Sequence, residues 1–511
     1  VRRPARILIL TADYGSGHRS AARALDVALA RAYGDAVRVE ISNPIHHPSA
    51  PALLRRAESL YLDEVQQTPA LYRLQYALTD LPLASLLLDS GARRMLRATM
   101  RHVLTESPAD VAMSVFPFYS AAVAAAYSGA PTRPGLMTIV TDLGAVHYTW
   151  FTESDDYCAV SSEHARAKAI RSGMDPQRLH LTGIPAHPDF GAPRADQATL
   201  RRESGLREDL LTVLLLGGGA GIGQLDTFAY ALDQAGLSVQ LLIVAGRNAP
   251  LAEELRAHSW TIPVGIYEFV PLVDLMHVAD VVATKAGGLT ISEALAAGKP
   301  LLIHGVIPGQ EEGNLRYIQE HGAGAWTPDP PALVAQIARW LAQPEELQRF
   351  TEAACRIGRP DAARQVAQLA WELAEAGPHP NALKAAPHVT RQLQDPVLQM
   401  PRSGAGTLPD LAPLVQTLMR QLDTLRQRLD VATEDQAALE ANLQQLGPQA
   451  GAGWRRWLNQ QRWLNQRQRQ QAAAIERKLA QLPSGSDHST AARSRAALER
   501  LSRQVEQLND L

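Results

Sequence analysis

Cysteine is almost missing from this chain. Cys158 and Cys355 stand far apart, without a CxxC or Cys/His spacing, which argues against a disulfide framework and a structural zinc and fits a reducing compartment. Aromatic residues are scarce at 5%. Neither sign of charge prevails: 50 Lys and Arg face 52 Asp and Glu for a formal net charge of −2, so overall charge gives no case for a nucleic-acid partner, and any basic surface is local. No apolar run reaches the roughly 18 residues that a membrane span needs. The strongest, Leu210–Leu216, stops at the glycines of Gly217–Gly223. The opening Val1-Arg2-Arg3-Pro4-Ala5-Arg6 looks like the charged start of a signal peptide, but Ile7–Leu10 is too short for the apolar part and reads better as a buried first strand. The expectation is a cytoplasmic protein with at most peripheral membrane contact.

What is present is a length of 511 residues, too much for one core, and a rhythm that repeats. Short β-rich runs at Ile7–Leu10, Val37–Ile41, Val111–Val115, Leu136–Thr141 and Tyr157–Val160 alternate with helical stretches such as Ser20–Tyr33. After Pro193 the rhythm restarts, with strands expected at Leu211–Leu216, Gln240–Val244, Gly265–Glu268, Val281–Thr284 and Leu301–Ile303 and a last helix at Ala362–Ala376. This alternation predicts an α/β protein of two doubly wound, Rossmann-like domains, 1–192 and 193–376, with ligands at the carboxyl ends of the strands. The last helix is free to pack back on the first domain. Seven prolines then mark 377–413 as a linker. In 414–511, Leu418, Leu422, Leu425, Leu429, Ala432, Gln436, Leu439, Leu443 and Leu446 follow a 4-3 spacing that predicts a helical coiled-coil tail and with it a homo-oligomer. Within the tail, Trp454–Lys478 is basic and repeats Arg-Trp-Leu-Asn-Gln; it suits either a helical hairpin or a helix lying on an anionic membrane.

Four segments carry chemistry. Gly15-Ser16-Gly17-His18 follows the first strand; its glycines bring backbone close to a substrate, and His18 is either a capping histidine or a general base facing the cleft. Thr141-Asp142 ends a strand, with His147 and Trp150 on the loop beyond; Asp142 could orient a base, act as one, or cap a turn. Gly217–Gly223 includes Gly219 and Gly221, which allow amides to approach a diphosphate or simply make a tight turn, and Arg247 is a phosphate contact or a solvated arginine. Tyr267–Val270 follows a strand and either offers backbone to a flat base or is an ordinary buried strand end.

The fourth segment is the richest. Gly287 and Gly288 feed a helix carrying Thr290, Ser292 and Glu293, and Gln310-Glu311-Glu312 opens another near Asn314. Helix starts favour phosphate, a carboxylate accepts both hydroxyls of a ribose, and neutral amides with a further Glu suit a hexose. The combination reads as a sugar-nucleotide pocket. No Asp-x-Asp motif and no metal-ligand spacing appear, so no essential metal is expected and glycines and helix dipoles carry the phosphate charge.

Residues 5–376 resemble the lipid glycosyltransferases of the monogalactosyldiacylglycerol synthase and processive diacylglycerol glucosyltransferase type, and more remotely the GlcNAc transferase of the peptidoglycan lipid precursor. The resemblance lies in Gly15-Ser-Gly-His18, Val140-Thr-Asp-Leu143 with His147 and Trp150-Phe151, Gly183-Ile-Pro185, Gly217–Gly223, Lys285–Glu293 and Pro308–Asn314. It implies a GT-B fold and an inverting transfer of a hexose, galactose slightly over glucose, from a UDP-sugar to diacylglycerol. Carried over, His18 is the base, with Asp142 beside it. Gly219, Gly221 and Thr290 hold the diphosphate, Glu293 the ribose, and Gln310, Glu311 and Asn314 the sugar; the residue reading adds Gly288 and Arg247 to the donor side. Gly15, Gly17, His147 and Trp150 belong to the acceptor side. Within Pro48–Val103, Leu- and Arg-rich helical sequence suits either an anionic membrane surface or an ordinary helical excursion. The alternatives are GlcNAc transfer to a polyprenyl-linked lipid and a non-catalytic sugar-nucleotide-binding scaffold.

Overall fold

The computed structural model describes residues 3–13, 17–52, 54–55, 79–80, 82–144 (backbone alone for 82–91), 146–192, 195–217, 225–307, 309–381 and, in the tail, 419, 423, 466, 469–470 and 472–477. In the first domain, β1 (Ala5–Leu10) leads to α1 (Gly17–Tyr33) and β2 (Val37–Ser42). Then come α2 (Pro82–Glu106), β3 (Val111–Ser114), α3 (Tyr119–Ala126), β4 (Thr132–Arg133), β5 (Gly135–Ile139), β6 (Tyr157–Val160), α4 (Glu163–Arg171) and β7 (Leu179–Leu181). The sheet runs β2-β1-β3-β5-β6-β7, with all neighbours parallel.

The second domain repeats the plan. After α5 (Gln197–Glu203) it contains β8 (Leu211–Leu216), α6 (Leu225–Gln234), β9 (Val239–Val244), α7 (Ala249–Ala257), β10 (Val264–Tyr267), α8 (Leu272–Val278), β11 (Val281–Lys285), α9 (Gly288–Ala296), β12 (Leu301–Gly305), α10 (Glu312–Glu320) and β13 (Gly324–Trp326). Its parallel sheet runs β10-β9-β8-β11-β12-β13. Three helices follow: α11 (Pro330–Ala342), α12 (Pro344–Ile357) and α13 (Ala362–Ala376); β14 (His379–Pro380) closes the unit. Two Rossmann-like domains facing one cleft make this a GT-B fold.

The central strands, such as β1, β3, β8 and β9, are nearly continuous buried runs because helices cover both faces of each sheet. Ile7, Leu8, Ile9 and Leu10 of β1 are all at most 1% exposed. Helix α1 turns Ala21, Ala22, Ala24, Leu25, Ala28 and Leu29 inward. Although it follows the second domain, α13 places Val366, Ala367, Ala370 and Leu373 in the core built on Ile7, Ile9, Val111 and Met113. Trp371 stacks on Tyr33 with ring centroids 4.4 Å apart. Residues 377–381, whose prolines suggested a linker, instead return to the first domain: β14 pairs antiparallel with β4, and Asn381 N–H donates to the Pro131 carbonyl at 3.1 Å.

Strand order reverses between β1 and β3 in one sheet and between β8 and β11 in the other, and the crevices at those points receive ligands. The loops after β1, β3, β8 and β11 open on those crevices, and those after β5 and β12 join them at the same sheet ends. Helix α10 starts at Glu312, one turn-fraction before the Asn314 expected from sequence. The heptad seam Leu418–Leu446, the basic Trp454–Lys478 segment and the rest of the linker lie outside the described residues, apart from the few tail positions given above, which are helical. Among the described residues no helix is long and apolar enough to cross a membrane.

Candidate active site

His18 sits in the first turn of α1 at the carboxyl end of the first sheet. Its Nδ1 lies 2.7 Å from the Val115 carbonyl and 3.2 Å from Thr141 Oγ1. A carbonyl only accepts, so Nδ1 carries the proton and Nε2 keeps its lone pair. Burial pushes the ring down to about 4, against the pull of the Val115 carbonyl, so at neutral pH His18 is an uncharged base. Phe116 meets the ring edge-on at 5.3 Å and Trp150 lies at 6.1 Å. The loop that supplies Val115 and Phe116 ends at Phe118, whose φ of 75° is left-handed, a costly backbone state for an aromatic residue.

Asp142 follows Thr141 and faces Trp150, whose indole N–H donates to Oδ2 at 2.9 Å. Burial raises its carboxyl to about 6; the Trp150 hydrogen bond opposes that rise, and the charges of Glu311 and Asp80 add to it. The Asp142 carbonyl accepts from Ser161, and Ser162 Oγ donates to the Leu143 carbonyl at 2.5 Å, so the loop is pinned from below. No hydrogen bond joins Asp142 to His18 among the described residues; Val115 and Thr141 orient the ring instead.

His147 is buried and fully engaged. Thr149 N–H donates to Nδ1 at 3.2 Å, which leaves Nε2–H for Thr79 Oγ1 at 3.1 Å. Next to it Asp80 accepts from Tyr148 N–H at 2.8 Å and from Lys168 Nζ at 2.7 Å, while Lys168 also lies 4.1 Å from the Tyr148 ring centroid. His147 thus anchors residues 79–80 to the Trp150 loop, and its nitrogens are used for that.

Across the cleft, α9 begins at Gly288 with no side-chain cap, so its first amides point outward. Thr290 stands half-buried in that first turn, and Ser292 Oγ donates back to the Gly288 carbonyl at 2.9 Å. Glu293 is 8% exposed, its carboxyl has no hydrogen-bond partner among the described residues, and it is pushed up to about 8 by burial alone. Lys285 and Glu311 form an ion pair beside Gly287, and Glu311 also accepts from Ile307 N–H at 2.9 Å. Asn314 Oδ1 accepts from Leu143 N–H at 3.0 Å and Gly144 N–H at 3.1 Å, and Nδ2 donates to the Ala286 carbonyl at 3.0 Å. Glu311 and Asn314, which the motif assigns to the hexose, are therefore also bound to the protein itself. Gln310 is half-buried in the turn before α10. Arg247 is exposed after β9, with its guanidinium 5.4 Å from the ring of Phe269, itself 58% exposed. Gly15, Gly219 and Gly221 lie outside the described residues. Gly17 opens α1, and a Cβ there would lie 3.8 Å from Leu289 Cβ, so the two helix starts nearly touch.

Two family models cover these halves separately: monogalactosyldiacylglycerol synthase over residues 18–186 and the glycosyltransferase family 28 C-terminal domain over 212–366. The chloroplastic monogalactosyldiacylglycerol synthase of Spinacia oleracea is 30% identical over 374 residues, covering 71% of each chain. Monogalactosyldiacylglycerol synthase 1 of Arabidopsis thaliana is 30% identical over 384 residues, covering 73% of this chain and 71% of its own. The chain belongs to the monogalactosyldiacylglycerol synthase family. It is a glycosyltransferase of the family 28 type. Solved structures of related shape include MurG of Acinetobacter baumannii, 13% identical with a TM-score of 0.46 over 72% of this chain and 100% of that one. The calicheamicin glycosyltransferase CalG4 is 14% identical with a TM-score of 0.44 over 73% and 99%.

Within this synthase-family site, some working residues carry no mark in the linear sequence. Val115 and Phe116 belong to an apolar strand end, with no motif to distinguish them. Thr141 and Lys285 do fall inside motifs, but their partners, His18 and Glu311, are distant in the chain, so their roles emerge only once the loops are brought together.

Proposed function

We propose that this chain transfers a hexosyl group, galactose in preference to glucose, from a UDP-sugar to the free hydroxyl of diacylglycerol with inversion, working on the cytoplasmic face of an anionic membrane. The observation that carries the reading is the protonation of His18: Nδ1–H is spent on Val115, and Nε2 is left as a base opposite the uncapped start of α9. As the lipid oxygen attacks the anomeric carbon, its O–H bond breaks and the proton passes to Nε2. The new C–O bond forms while the bond to the β-phosphate breaks, and UDP leaves with the electron pair. Amides at the start of α9, with Thr290, Arg247 and the Gly217–Gly223 loop, take the diphosphate charge. Glu293 takes the ribose hydroxyls, Phe269 offers a face to the base, and Gln310 leads the hexose contacts. These groups supply the charge stabilisation without a resident metal. Galactose is favoured by the relatives' names and by the Val140–Leu143 motif with His147 and Trp150.

The decisive assay offers labelled UDP-galactose and UDP-glucose, separately, with diacylglycerol in vesicles. Formation of galactolipid supports the reading; glucolipid would move the donor, and UDP binding without transfer to any lipid would leave a scaffold. His18→Ala should keep UDP affinity while turnover falls roughly 10²–10⁴-fold, the usual worth of a general base. Unchanged turnover would remove His18 from that role.

A further inference from the structure

The groups that close the cleft form a device separate from the chemistry, and it centres on Asn314. The residue belongs to the second domain and is 1% exposed. One amide there joins three segments: Leu143 and Gly144 just past Asp142, the Ala286 carbonyl just before α9, and the start of α10. Glycines flank it on both sides. A Cβ on Gly144 would overlap the Gly313 carbonyl, and one on Gly288 would lie 2.7 Å from the Thr141 carbonyl. Neither glycine has a positive φ, so an alanine could adopt either backbone; only the opposite domain forbids the side chain.

We propose that Asn314 is an interdomain latch, a positioning residue that registers the donor half of the cleft against the half bearing the base, and that Gly144 and Gly288 provide the clearance it needs. Two backbone amides of the first domain recognise one side-chain carbonyl of the second, and in the same contact Thr141, which touches His18, comes to rest against the start of α9. The latch therefore sets where His18 Nε2 stands relative to a donor held by the second domain. The inference rests on the donor and base assignments above, but it predicts a different failure: the donor still binds, and the halves lose their register.

The test uses the full chain with Gly144→Ala, Asn314→Ala and Asn314→Asp. UDP affinity is measured by calorimetry and turnover with the UDP-hexose that the wild type uses. A label distance is read between native Cys355, which is exposed on α12, and a cysteine placed by Arg171→Cys on α4, Cys158 being buried. Gly144→Ala and Asn314→Ala should hold UDP affinity within about threefold and lower turnover roughly ten- to hundredfold, as expected for losing two hydrogen bonds or blocking their formation. The label distance should lengthen in both. Asn314→Asp keeps an acceptor for both amides but loses the donation to the Ala286 carbonyl, so its label distance should stay nearer the wild type than that of Asn314→Ala, with turnover recovered only in part. Wild-type turnover and distance in Gly144→Ala would overturn the latch. So would a parallel loss of UDP affinity and melting temperature in Asn314→Ala, which would make the residue a part of the second domain's fold. Because the distance needs no turnover, it judges the latch even if no lipid is glycosylated; His18→Ala judges the base separately.

Discussion

Burial acts on His18 and Asp142 in opposite senses because it disfavours whichever form carries charge. The histidine falls to about 4 and the carboxyl rises to about 6, so the usual order of the two groups is inverted. Between pH 6 and neutrality the site therefore holds an uncharged imidazole and an ionised carboxylate, the protonation states that the proposed role of His18 as base asks for. It follows that, with the UDP-sugar held saturating, the acid limb of kcat/KM for the lipid belongs to Asp142 and lies near 6. In Asp142→Asn the plateau should drop by roughly ten- to hundredfold and the limb should move below about 5. A pH–rate profile in both proteins checks this, and a limb left in place would assign it to another group. Glu293 gives a second test. Its carboxyl, raised to about 8 by burial, is protonated at neutral pH, yet ribose hydroxyls are best held by the carboxylate, which accepts from both. UDP affinity should thus rise with pH up to about 8 and binding should release a proton, seen as a buffer-dependent heat; Glu293→Gln should abolish both effects.

Elements place these residues, and one short element carries its own pH dependence. At β14, His379 is paired with Asp156, which also accepts from Arg133 Nη1 at 2.6 Å. The hydrogen bond to Asp156 raises His379; Asp156, although burial works the other way, is held far below the usual carboxylate range by His379 and Arg133. A raised histidine favours the folded state below its unfolded value near 6.5, and that contribution is lost as pH climbs through the raised value. Asp156, already ionised there, does not cancel it. His379→Gln should lower the urea midpoint at about pH 5.5 and converge on the wild type above about pH 8.5. Equal gaps at both pH values would mean that the pair adds no charge-dependent stability. Elements of this size are also where sequence alone falls short. The long apolar runs of β1 and β8 declare themselves, because a strand covered on both faces needs apolar residues throughout. β7 and β13 have three residues each, too few for a pattern, and lie at sheet edges. β14 contains a proline that argues against a strand, and an edge position with a single partner tolerates it. The motif loops were legible for the same local reason as β1, whereas the partners of Asn314 lie 170 and 171 residues away and leave no trace in its neighbourhood.

For the molecule as a whole, α13 and β14 make the first domain depend on sequence that follows the second. Deleting from residue 378, the boundary suggested by composition, would strip β14 and Asn381, whose Nδ2 donates to the Tyr127 carbonyl at 2.6 Å. Among the described residues, a cut after Asn381 leaves the cores of the two domains intact, because their buried residues lie before it. That boundary allows the tail to be tested without disturbing the site. The truncated chain, residues 1–381, should bind UDP with the affinity of the full chain, since the residues proposed for the donor all precede the cut. Its mass in solution should differ. The 4-3 seam from Leu418 to Leu446 predicts that the full chain self-associates while 1–381 is a monomer. Light scattering on both would decide it, at concentrations spanning about two decades so that a weak coiled coil is not missed. Equal monomeric masses would refute association through the tail. Equal oligomeric masses would transfer it to the folded domains. A difference in mass with unchanged turnover would make the tail an assembly element that the transfer chemistry does not require, since every side chain proposed for the base or the donor, from His18 to Gln310, precedes it.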